Sequence, residues 1–218
     1  MSQGLSVEAV RAYYPDNDAV HGFDHILRVL RMAERLADEE GADVEIVRAA
    51  ALLHDAQEPR ESENEPGSLR AEHHLSSADL ARKILSAYGW EAGRIAAVQH
   101  CIRAHRFRDG REPPQTLEAK ILFDADKLDA IGAIGVARAI AYATQAGEPF
   151  FAPASEEFSK NGQKQAGEAH SAYHEYLFKL RKLSERLYTV AARRMGEDRH
   201  QVMTVYFEHL AAEMNAIE

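Results

Sequence analysis

Apolar residues recur at three- and four-residue steps through nearly the whole 218-residue chain, and the two-residue alternation of a half-buried strand is almost absent. The clearest stretch is VHGFDHILRVLRMAERLADEEG, residues 20–41, where Ile26, Val29, Leu30, Ala33 and Leu36 share one face and Gly41 supplies a C-terminal stop. The same period predicts helices over 6–14, 43–55, 74–88, 91–105, 116–129, 131–146, 168–195 and 198–215. Between the last four, residues 147–167 (GEPFFAPASEEFSKNGQKQAG) mix Gly, Pro and polar residues with exposed-looking aromatics; the stretch is too long for a plain connector and reads as a lid-like loop. No repeat or linker divides the chain, so one all-α domain over 1–218 is expected, with its core over 20–146 and C-terminal helices over 168–215.

Charge limits the partners. A formal net charge of -9 argues against nucleic acid or an anionic membrane surface, but not against a small anionic substrate met by local cations or a metal. The single cysteine, Cys101, rules out an intrachain disulfide, reads as a small buried hydrophobe, and fits a reducing cytoplasm. MSQGLSVEAV lacks the basic and apolar regions of a signal peptide. The most apolar window, 130–146, is Ala/Gly-rich, carries Arg138 and is short for a membrane span. Its glycines Gly132 and Gly135 follow no strand and read as close helix packing, not a phosphate loop. A homodimer is left open.

Eleven histidines are the unusual count. His170, His200 and His209 read as surface groups, but three other places set His or Asp at apolar boundaries: HGFDHILRV (21–29), ALLHDAQEP (51–59) and ILFDADKLDAIGA (121–133). A carboxylate on a core-facing helix position is costly unless paired or bound to a cation. Asp124 and Asp126 lie roughly 200° apart on an ideal helix, so they cannot face one centre together. Imidazoles and carboxylates from separate helices make a mixed nitrogen and oxygen set, suited to Mn²⁺, Fe²⁺, Co²⁺ or Ni²⁺ and leaving positions open for water or a substrate oxygen.

His25, then His54-Asp55, then Asp126 in DADKLDA resembles the ordered H…HD…D signature of the HD-domain metal-dependent phosphohydrolase superfamily. HILRV after the first His and ADKLDAIGAIG around the last Asp make the resemblance specific, and it extends over about residues 20–215. It is closest to the small bacterial branch similar to nucleotide pyrophosphohydrolases. The resemblance implies an HD-type helical bundle and one divalent ion, Mn²⁺ before Mg²⁺, Fe²⁺, Co²⁺ or Ni²⁺. Its ligands would be His25, His54, Asp55 and Asp126, with Asp124 the alternative to Asp126.

Glu58 matches the place where related nucleotidases keep a carboxylate that handles the attacking water or the leaving group. With Asp55 it forms the expected catalytic pair. For substrate phosphates the expected contacts are Arg28, one turn from His25, His74 at a helix start, His105, and Lys127 beside Asp126. Lys179 and Lys182 are suggested by the resemblance. The expected substrate is a small nucleotide. A (d)NTP pyrophosphohydrolase is the first reading, a nucleoside 5'-monophosphate phosphatase the second and alarmone or cyclic-nucleotide hydrolysis the third. A metal-stabilised binding module without catalysis is the reading from a different class.

Overall fold

A computed structural model describes residues 5–14, 22–57, 73–106 and 112–216. His21, Glu58 and most of the acidic stretch 61–74 therefore lie outside the described residues. Ten α-helices and three short 3-10 turns, with no strand, make up the regular structure among the described residues. The chain falls into two compact units, Met1–Asp126 and Lys127–Glu218.

In the first unit, α1 (Val7–Val10) is capped by the Ser6 hydroxyl, which accepts from Ala9 N at 3.2 Å, and leads into a 3-10 turn over Arg11–Tyr13. Helix α2 (Phe23–Glu40) buries His25, Ile26, Val29, Leu30, Ala33, Leu36 and Ala37. It ends where Gly41, at φ 76°, turns left-handed and donates to Ala37 O.

Helix α3 (Val44–Leu53) begins at Asp43, whose carboxylate accepts from Glu45 N and Ile46 N and also pairs with Arg94. Every residue from Ala49 to Leu53 is buried. Only a helix enclosed on all sides can be apolar all round, and α2, α4 and α5 enclose it. Removing Leu52 and Leu53 from water contributes roughly 1.5–3 kcal/mol apiece. Helix α4 (His73–Ala87) packs along α5 (Ala92–Ala104), and α6 (Leu117–Asp129) carries Asp126 at the end of this unit. Cys101 is buried in α5; burial pushes its thiol up to about 12, which leaves it inert.

In the second unit, α7 (Gly132–Gln145) lies against α10 (Val190–Ala216). A Cβ on Gly135 would stand 2.3 Å from the Ala130 carbonyl oxygen and 2.7 Å from Met203 Cε. Backbone cannot yield as a side-chain tip can. Gly135→Ala should therefore lower stability by about 3 kcal/mol, read as a shifted denaturant midpoint at unchanged slope. The carboxylate of Asp129 finds its cation in Arg138, at 2.8 Å, and the last carbonyls of α6 accept from guanidinium groups, Asp129 O from Arg138 and Leu128 O from Arg199.

The C-terminal helices differ from the sequence reading. The expected helix over 168–195 is broken into α9 (Ala172–Phe178), two 3-10 turns (Leu180–Lys182 and Ser184–Arg186) and the start of α10, which then runs unbroken to Ala216. Thr189 starts α10 by accepting from Ala192 N. Gly196 lies inside α10, where a Cβ would meet Leu187 Cδ1 at 2.4 Å; it is there for close packing.

The stretch 147–167 contains α8 (Glu156–Asn161) and buries Phe158 rather than exposing it. Glu168 accepts from Ser155 N, Ser155 Oγ and Gln165 N, which holds its carboxyl down to about 2. The buried His174 closes the network, with Nε2 3.2 Å from Glu168 and Nδ1 2.7 Å from Ser171 Oγ.

Candidate metal centre

The first unit brings the ends of five helices to one cluster. His25 comes from the first turn of α2, His54-Asp55 follow the last residue of α3, His73 opens α4, and His105 follows the last residue of α5. Asp126 comes from the last turn of α6. Ligand atoms of His25, His54 and Asp126 lie within 4.8 Å of one another, and so do those of Asp55, His73 and His105. Asp55 connects the two sets. Its Oδ2 stands 3.5 Å from His54 Nε2 and 3.9 Å from His25 Nε2. Its Oδ1 stands 3.2 Å from His73 Nε2 and 3.6 Å from His105 Nε2. His25 Nε2 is 3.5 Å from Asp126 Oδ1.

Two of the rings are fixed by their own helices. His54 Nδ1 donates to Ala51 O at 2.9 Å and His105 Nδ1 to Ile102 O at 2.5 Å. A carbonyl can only accept, so Nδ1 carries the proton and the neutral ring presents the lone pair of Nε2. His54 Nε2 is fully enclosed and has no hydrogen-bond partner. A buried lone pair facing two carboxylates calls for a cation. Imidazole nitrogen with carboxylate oxygen, and no thiolate among these six side chains, fits a divalent ion with open coordination positions rather than a closed structural zinc cage.

Burial by itself would raise the Asp55 carboxyl; the surrounding imidazoles of His54, His73 and His105 outweigh it and hold the acid well below the usual carboxylate range. A depressed acid contributes stability that is present above the ordinary carboxylate range and lost as pH falls through its depressed value. Metal-free protein should therefore lose melting temperature as pH drops below about 4, and Asp55→Asn should flatten that loss, in calorimetric scans from pH 7 to pH 3.

The other expected site residues have these surroundings. Asp124 is fully buried while Asp126, about 200° further round α6, joins the cluster. Adjacent helical residues point about 100° apart, and it is His73, not His74, that turns to Asp55; His74 is buried beside it with ring centroids 6.0 Å apart. His105, expected at the substrate phosphates, stands among the potential ligands. Arg28 pairs with Asp24 one turn back, and Lys127 is buried. In the second unit, Lys179 lies 3.4 Å from Glu175 and Lys182 sits over the Phe178 ring. Sequence reasoning missed His73 as a facing group. The signal was its position as the first residue of α4, where a side chain can turn back past the helix end.

An all-α fold with two His/Asp sets meeting at one carboxylate makes a candidate divalent-metal centre. The HD-domain family model matches residues 22–131, and the chain belongs to that family. YpgQ of Bacillus subtilis is 30% identical over 96% of this chain and 92% of its own. The structure of YpgQ in complex with ADP matches at TM-score 0.70 and 29% identity, covering 98% of this chain and 100% of that one. A Lactobacillus plantarum protein matches at TM-score 0.73 and 30% identity over 96% and 95% of the two chains. An HD-superfamily hydrolase of Bacillus thuringiensis matches at TM-score 0.69 and 28% identity over 96% and 95%. The reaction class is metal-dependent phosphohydrolysis, and no helix among the described residues is long and apolar enough to cross a membrane.

Proposed function

We propose that the substrate is a nucleotide and that the first reaction is cleavage of a (d)NTP to the monophosphate and pyrophosphate. The observation that carries this reading is the shared Asp55 carboxylate, which holds both histidine sets at one centre; the ADP complex of the similar YpgQ supports a nucleotide as the occupant. His25, His54, Asp55 and Asp126 would hold the ion. A bound divalent ion there supplies a Lewis acid for a phosphate oxygen and makes water a stronger nucleophile at neutral pH.

The chain's own groups do the rest. Glu58 accepts the proton of the attacking water as a new bond to the α-phosphorus forms, while the bond from that phosphorus to the bridging oxygen breaks and pyrophosphate leaves. His73 and His105 back Asp55 from the far side of the cluster, each with its Nε2 near Asp55 Oδ1. Arg28 and His74 of the same unit are the further phosphate contacts of this reading, in a cytoplasmic enzyme with Mn²⁺ as its first metal.

A panel of dNTPs and nucleoside monophosphates with Mn²⁺-loaded protein tests it. Pyrophosphate release is expected; orthophosphate from monophosphates would favour the phosphatase reading, and no turnover of any nucleotide would leave a binding module. A second reading, two ions bridged by Asp55, is favoured by the Asp55–His73–His105 set. Metal stoichiometry near two per chain would select it.

A further inference from the structure

The His54-Asp55 turn is held from outside the family-matched segment 22–131 by the chain's N-terminal residues. Helix α3 ends at Leu53, so its final carbonyls have no helical partners. The chain supplies three. Ala51 O accepts from His54 Nδ1, Leu53 O accepts from Ala56 N at 3.2 Å, and Leu52 O accepts from the buried Tyr14 hydroxyl at 2.6 Å. Tyr14 thus holds the backbone just before the metal-site pair, across 38 residues of sequence.

Two contacts fix Tyr14 itself: its ring packs on Phe23, centroids 5.4 Å apart, and Gln57 N donates to the neighbouring Tyr13 O at 3.1 Å. On the far side of the turn, Ser77 Oγ of α4 donates to Ala56 O at 2.9 Å. Hydroxyls therefore grip the turn at both ends, and neither touches a ligand atom.

We propose that Tyr14 is a positioning residue that sets the angle at which His54 and Asp55 present their ligand atoms, with Ser77 as its counterpart at Ala56. This rests on the metal reading above. Groups that orient metal ligands change metal affinity or activity about 10–100-fold when removed. Tyr14→Phe keeps the ring and the Phe23 contact and deletes only the hydroxyl.

The test is calorimetric titration of Mn²⁺ into wild type, Tyr14→Phe, Ser77→Ala and Leu36→Val, with the electron-paramagnetic resonance spectrum of the bound ion. Leu36→Val trims the same unit's core in α2, away from the turn, and sets the baseline for general loosening. The expected result is a Kd raised about tenfold or more in Tyr14→Phe with a broadened spectrum, the same direction in Ser77→Ala, and less than about twofold in Leu36→Val. If Tyr14→Phe does not fold, Ser77→Ala alone decides. A Kd in the hydroxyl variants within about twofold of wild type, or no weaker than in Leu36→Val, overturns the proposal and leaves the metal reading standing. Failure of wild type to bind Mn²⁺ at all overturns both.

Discussion

Asp55→Asn should lower turnover by about 10³-fold or more and leave the dialysed protein with little bound metal, at nearly unchanged helix content. The substitution preserves volume but removes the charge that both histidine sets share. Asparagine offers one oxygen where aspartate offers two. It cannot face His25 and His54 with one oxygen while facing His73 and His105 with the other. The effect should therefore exceed that of losing any single imidazole, since His73→Ala or His105→Ala strips one side of Asp55 and leaves the other. Elemental analysis after dialysis, circular dichroism and a turnover assay read the three quantities separately. A variant that keeps its ion and works within about tenfold of wild type would remove Asp55 from the centre of the site.

Glu58→Gln should behave oppositely on metal and similarly on rate: full metal content, native melting, and turnover reduced about 10²–10⁴-fold. Glutamine keeps the shape and hydrogen-bonding reach of the side chain but cannot take a proton from water. The rate loss should shrink as pH rises, because hydroxide becomes more abundant and needs no base. Equal loss at all pH values, or loss of metal along with rate, would mean that Glu58 serves as a ligand and not as a base. Comparing the two variants separates holding an ion from using it.

The period of the apolar residues locates α2 to α7 to within about three residues at each end, because each is long and carries one continuous buried face. It fails at 168–195 because successive 3-10 turns repeat nearly as a helix does, and Leu180, Leu183 and Leu187 keep an apolar face through them. In the site, Asp126 is separable from Asp124 by the family resemblance, whereas helical angles only forbid the two from acting together. His73 and His105 were not legible as partners of Asp55. Their meeting depends on how α4 and α5 pack, and that is a tertiary fact absent from local spacing. Tyr14 is less legible still. Nothing about a tyrosine 40 residues before His54 marks it as a donor to Leu52 O.

Helices α3 and α5 both stop immediately before a histidine of the cluster, so each delivers its carboxyl end there. Peptide dipoles leave roughly half a negative charge at such an end. Helices α2 and α4 bring the opposite, amino ends of their dipoles beside His25 and His73, so the helix ends largely offset one another, and it is Asp55 and Asp126 that draw a cation and repel a polyphosphate. The consequence is an order of addition: free nucleotide should compete poorly for the apoprotein, and an ion should have to arrive before the phosphate chain or enter as its escort. Tight nucleotide binding after exhaustive chelation would contradict that sequence of events.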